Sequence, residues 1–174
     1  MHEQLGESNP TRTQVLLNKM TPHTTNHEHV AGSLPWYGLD ASDDGSVVIA
    51  AADSQYIYTY GVGGATWMMQ TGSPNRQWRA AACDANCTRA AATVIYSTIW
   101  TSQNSGVSWT SQSGSSTGDW RSIALSSNGS VLVGAMFNKY IYVSVDGGII
   151  WNVRITDAMR GWNAVACRQE ERQT

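Results

Sequence analysis

Asp146 is the first residue of this sequence that invites chemistry. It sits in YIYVSVDGGIIW, residues 140–151, an acidic side chain in a glycine turn flanked by aromatic rings. A carboxylate among rings suits a sugar-cleaving or ion-binding site. It suits a hairpin turn as well, because Asp hydrogen-bonds local backbone amides. A glycosidase needs two carboxyl groups across one site. Four histidines, His2, His23, His27 and His29, fall in the first 35 residues, and His27-Glu28-His29 with His23 could hold a metal adventitiously. That segment has no periodicity and carries Pro10, Pro22 and Pro35, so a disordered arm over residues 1–35 is the expectation. Cys83 and Cys87 could pair or bind metal, but no further ligand stands at zinc spacing. With three cysteines in all, packed or free thiols are expected rather than a disulfide framework. Neither a metal nor a cofactor is expected: the sequence has no phosphate loop and no Gly-x-Ser-x-Gly elbow.

The elements that position these groups follow from composition and repetition. The charged fraction is 14%, against roughly 25% in an ordinary globular chain. Eight Trp, seven Tyr, frequent Gly and scarce Pro suit an antiparallel β protein with tight turns. The net charge of -2 gives no argument for a nucleic-acid partner. No apolar run approaches the roughly 20 residues of a membrane helix, so no membrane insertion is expected. The opening MHEQLGESNP lacks the apolar core of a signal peptide, and the compartment is not legible.

Tryptophans supply the ruler. Trp36, Trp78, Trp120 and Trp162 recur every 42 residues, and so do Trp67, Trp109 and Trp151. Units 36–77, 78–119 and 120–161 align without gaps, and the first and third agree at 13 of 42 positions. The middle unit is more diverged and puts Trp100 where the others have Tyr58 and Tyr142. In the third unit, residues 120–126, 131–137, 140–144 and 149–154 read as strands, separated by SNGS, NK and VDGG turns. A four-stranded sheet of this length, apolar on both faces, needs a neighbour on each side. It is a propeller blade. Residues 162–167 begin a fourth unit, and a polar tail follows over 168–174.

Ser144-Val-Asp146-Gly-Gly148-Ile-Ile-Trp151 resembles the Asp-box, or BNR, repeat, Ser-x-Asp-x-Gly-x-Thr-Trp. Its counterparts are Ser102-Gln-Asn104-Ser-Gly106-Val-Ser-Trp109 and Tyr60-Gly-Val62-Gly-Gly64-Ala-Thr-Trp67. The resemblance implies the propellers of sialidases, plant-wall glucanases, sortilin-type receptors and a photosystem II assembly factor. It also implies that the box is structural and lies far from the ligand end. The columns agree: the acidic position holds Asp, Asn or Val, while glycine and tryptophan are constant.

Up-and-down strands segregate the turns onto two ends. The connectors and blade starts put Arg76, Arg79, Arg121 and Arg160 at one end, with Asp53 and Asp119. Arg79 and Arg121 each follow a column tryptophan on adjacent inner strands, where two guanidiniums could face an anion. The alternative is a rim pairing with Asp119 or Asp157. Arg76, Arg160 and Asp119 are assigned to the rim. No Arg-Ile-Pro signature is present, since Arg154-Ile155 is followed by threonine. Asn86-Cys-Thr88 and Asn128-Gly-Ser130 match glycosylation acceptors in one column.

The expectation is therefore an all-β chain of antiparallel four-stranded propeller blades in an incomplete ring. It is either part of a longer propeller or closed by self-association. Its expected function is a non-catalytic scaffold that binds a protein or glycan partner through the arginine end. The alternative is part of a sialidase-like or other glycoside hydrolase propeller with catalytic residues outside this chain.

Overall fold

The computed structural model of this chain describes residues 34–62 and 64–167. The expected arm up to residue 33, with its histidines, and the tail over 168–174 lie outside the described residues.

Three antiparallel sheets follow one another along the chain. The first is β1 (Trp36–Ala41), β2 (Val48–Ala52), β3 (Ile57–Gly61) and β4 (Gly64–Gln70), in that order. The second is β5 (Trp78–Cys83), β6 (Ala90–Val94), β7 (Ile99–Ser102) and β8 (Thr110–Ser111). In the third, β10 (Leu132–Ser144) lies between β9 (Trp120–Leu125) and β11 (Asn152–Gly161). As a straight strand, β10 would put its ends roughly 40 Å apart. Yet the Gly147 amide, just past one end, donates to the Ser130 carbonyl just before the other, at 3.0 Å. The strand therefore doubles back. It does so at Asn138, whose φ of +53° matches Ser54 and Tyr96 in the same column, both at +54°. The third unit is thus a four-segment blade like the others.

The fourth segment starts later than the sequence suggests. Residue type places Ile149 and Ile150 in a strand, but both amides are held by the Asp146 carboxylate, which leaves them nothing to offer a ladder. Residues 162–167 run beside β9 without becoming a strand, since none of the described strands pairs with them. The Val165 amide donates to Ser122 Oγ at 3.1 Å, 43 residues away. The same offset joins the Cys83 amide to Asp40 Oδ2 at 2.8 Å across the first two blades.

Inner strands β1, β5 and β9 lie side by side. A chain of backbone bonds links their ends: Asp43 amide to Ala85 carbonyl at 2.8 Å, and Ala85 amide to Ser127 carbonyl at 3.0 Å. Packing repeats with the sequence. Trp78 meets Trp100 and Trp109 at ring separations of 6.0 and 5.9 Å. Trp120 meets Tyr142 and Trp151 at 5.1 and 5.9 Å. Trp36 meets Tyr58 and Trp67 at 5.3 and 6.2 Å. Tyr58 and Tyr142 thus pack on the tryptophan of their own blades. Between blades, the core joins Ile49, Ala51 and Ile57 to the tryptophans of the second blade. A second core joins Ala91 and Ile99 to those of the third.

The expectation of packed or free thiols is overturned. Cys83 and Cys87 form a disulfide, their Cα atoms 4.8 Å apart. The β5–β6 turn brings them together, and Cys87 occupies the turn position held by Gly45 and Gly129 in the other blades. All three residues have positive φ, +53° for Cys87 and +65° and +66° for the glycines. The disulfide pins a left-handed residue where the other turns use glycine.

Replacing fully buried Trp78 by alanine should cost about 3–5 kcal/mol, a large share of a domain's stability. The double change Cys83→Ala with Cys87→Gly gives the turn the first blade's residues at both positions. It should keep the fold and cost about 2 kcal/mol. Thermal unfolding with and without reductant checks this: reductant should lower the midpoint of the parent and leave the double variant unmoved.

Candidate functional site

The Asp146 end is built from backbone amides. Asp146 Oδ1 accepts from Ser144 Oγ at 2.6 Å and from the Ile149 and Ile150 amides at 3.0 Å each. Its Oδ2 also accepts from the Ile150 amide, at 3.1 Å. Ser144 Oγ takes the Gly148 amide at 2.9 Å, and Trp151 Nε1 donates to the Gly148 carbonyl at 2.7 Å. The middle blade repeats this with an uncharged residue. Ser102 Oγ donates to Asn104 Oδ1 at 3.0 Å, the Ser108 amide to the same oxygen at 2.9 Å, and Trp109 Nε1 to the Gly106 carbonyl at 2.8 Å. In the first blade Tyr60 stands at the serine position and packs on Trp67 at 5.8 Å. A glycine is needed at 148 for two reasons. Its φ is +97°, and a Cβ there would stand 2.9 Å from Thr101 Cγ2 of the preceding blade. Gly106 seats against Thr59 in the same way.

The Ser144 hydroxyl, followed by the Ile150 amide, holds the Asp146 carboxyl below its usual range. Asp44, in a strand-one turn at the same end, is lowered to about 2, first by Ser42 Oγ at 2.6 Å and then by the Ser46 amide and hydroxyl. Asn128 fills that position in the third blade and makes the same set of bonds through Oδ1. Asn stands in for Asp in both columns, so these oxygens serve as hydrogen-bond acceptors. A cleft of about 150 Å³ between the second and third blades is lined by Arg89, Gln103, Gln112 and Asp146 among others. Both Asp146 oxygens already face the turn.

The other end carries the arginines. The Ile95 amide donates to the Gln77 carbonyl at 3.0 Å, so the start of an inner strand and the turn after the second strand share one end. Arg79 lies over the Tyr37 ring, its Cζ 4.5 Å from the centroid. Arg121 lies over Phe137 at 4.7 Å, and its Nη2 donates to Asp119 Oδ2 at 2.6 Å. Each thus has an aromatic support, and Arg121 also has the rim pairing that its sequence neighbourhood allowed. Arg160 Cζ is 5.8 Å from the Trp162 ring. The Arg76 amide donates to the Gln55 carbonyl at 3.1 Å, and its side chain is exposed. Asp53, the second carboxylate that the sequence assigns to this end, accepts from Ser54 Oγ at 3.1 Å.

Two residues at this end are not singled out by the sequence reasoning. Tyr37 is 50% exposed and Tyr96 76% exposed. Tyr37 could have been found, because it occupies the Arg79 and Arg121 column. Tyr96 had a fainter signal: it is bulky where the columns hold Ser54 and Asn138. Among the described residues no group of three or more His, Cys, Asp or Glu could hold a metal. No helix among them is long and apolar enough to cross a membrane.

No family model and no curated protein matches the sequence. Solved structures do match. An ancestral GH74 enzyme is 18% identical, with a TM-score of 0.60 over 76% of this chain and 20% of its own. YCF48 from Cyanidioschyzon merolae is 19% identical, with a TM-score of 0.59 over 72% of this chain and 38% of its own. A chain of a nidogen/laminin complex is 16% identical, with a TM-score of 0.62 over 74% of this chain and 51% of its own. The chain has a β-propeller fold. Its described residues form an incomplete propeller of three blades, and the chain spans about a fifth to a half the length of those three proteins.

Asp146→Asn should leave the unfolding temperature nearly unchanged, as Asn104 already serves this turn. Asp44 has the lowered pKa, so its contribution is complete above the ordinary value of 3.8 and is lost as pH falls through about 2. Asp44→Asn should therefore flatten the acid limb of the stability curve in that window, measured as unfolding midpoint against pH.

Proposed function

We propose that this chain is an Asp-box propeller module with a non-catalytic role, a scaffold that binds a protein or glycan partner through its arginine-bearing end and completes its ring by self-association. The observation that carries the binding reading is the stacking of Arg79 on half-exposed Tyr37 at 4.5 Å. Arginine and tyrosine are enriched where interfaces concentrate their energy, and a guanidinium supported over a ring presents its donors at little entropic cost. Exposed Tyr96 and the Phe137-supported Arg121 extend the patch.

The carboxylates support the non-catalytic reading. Glycoside hydrolysis needs an acid whose pKa is raised, opposite a second carboxylate. Asp44 and Asp146 are shifted downward and lie at the other end. At the arginine end, the Asp119 carboxylate is paired with Arg121 at 2.6 Å. The Ser-x-Asp/Asn-x-Gly turns, with their indole-to-glycine bonds, support the Asp-box assignment.

Arg79→Ala combined with Arg121→Ala should weaken binding to acidic glycans or to a captured protein partner by about tenfold or more. Folding should be nearly unaffected, because partly exposed ion pairs contribute only about 0–1 kcal/mol. Glycan-array binding and thermal unfolding measure the two arms. Unchanged binding removes these arginines from the site. Turnover of sialosides or β-glucans by the purified chain, abolished by the same changes, would overturn the non-catalytic reading.

A further inference from the structure

The two ends of the arc present the two halves of one interface. Inside the arc that interface occurs twice. Its convex half is a column tryptophan pair and a seated glycine: Trp78, Trp109 and Gly106 in the second blade, Trp120, Trp151 and Gly148 in the third. Its concave half comes from the preceding blade: Ile49, Ile57 and Thr59 in the first, Ala91, Ile99 and Thr101 in the second. All of these side chains are buried.

The first blade carries the convex half with nothing described upon it. Trp36 and Trp67 are partly exposed, whereas Trp78 and Trp120 are fully buried. The third blade carries the concave half at Val133, Ile141 and Val143, each partly exposed where its column-mates are buried. In these three columns the third blade has only β-branched apolar residues; threonine in the other blades gives way to Val143.

A short piece of the chain already leans on this concave face. Trp162 falls in the column of Trp36, and the Val165 amide reaches Ser122 Oγ at 3.1 Å. The cover is incomplete. Residues 162–167 form no strand, and Trp162 stays partly exposed where Trp78 and Trp120 are fully buried.

We propose that the blade faces dock between two copies of this chain, head to tail. The first blade of each copy takes the concave face of the other's third blade and displaces Trp162–Cys167 from it. A whole blade brings two indoles, Trp36 and Trp67, where the cis segment brings one. The contact continues an interface that the arc already makes twice, so its shape and chemistry are fixed by the repeat. Heterologous contacts of this kind either close or polymerise. Two copies close a ring of six blades, inside the range of about four to eight that propellers adopt. This deepens the self-association in the scaffold reading and is independent of the arginines. A parent chain that associates but binds no glycan or protein partner would count against the scaffold site alone.

Sedimentation velocity of the full chain across a micromolar concentration series tests it. The expected species has twice the mass of the 18.9 kDa chain. Val133→Lys with Val143→Lys places two charges on the concave face and should weaken association about tenfold or more. Trp162→Ala removes the cis competitor and should strengthen it about tenfold. Circular dichroism melts confirm that each variant is folded. A monomer at every concentration in both the parent and Trp162→Ala overturns the proposal. So does a folded double-lysine variant that associates like the parent, a Trp162→Ala variant that associates no more tightly, or an open-ended polymer in place of a closed species.

Discussion

The fold depends on one contact made three times. A tryptophan opens each inner strand and meets a second aromatic from the third segment and a third from the end of the following turn. In the second and third blades that last tryptophan also donates its indole N–H to the glycine carbonyl of its own turn. The same rings that fix a hairpin to its sheet are therefore those that fill the gap to the preceding blade. Aromatic side chains bury about 150–250 Å² each, and nothing else in a chain so poor in Phe supplies comparable area. The turns have to be accurate to within the seating of a glycine on a threonine methyl, because the interface closes there.

The acidic turn residues take part in this coupling. Their oxygens hold the amides of a turn whose shape aims the tryptophan. Asp and Asn both accept such bonds, so the sequence is free to alternate between them. The arginines stand at the opposite end, where the inner strands begin. There Arg79 and Arg121 rest on Tyr37 and Phe137.

Much of the blade was legible from residue spacing. The 42-residue tryptophan columns are visible because a repeated interface demands the same large residue at the same place. That Asp146 would bond within its own turn was legible because its column varies while Gly148 and Trp151 do not. The bond between Cys83 and Cys87 was not. Two cysteines at that spacing pair only if the turn reverses between them with Cys87 at positive φ, and the columns suggest glycine for that conformation. Nor was the start of the last strand. Ile149 and Ile150 look like strand residues by type, and only the carboxylate capturing their amides takes them out of the ladder.

By itself the sequence determined the unit, its length and its strand order. These follow from local propensity and from the 42-residue period. Tertiary structure decided which side chains finally meet. Arg121 stands against both Asp119 and Phe137, Arg79 reaches the ring of a residue one repeat earlier, and Trp162 comes to the face of the third blade beside Arg160. Those partners depend on the rotation between adjacent sheets and on the direction a long side chain takes from its strand. Neither is encoded in the type or spacing of the residues along the chain.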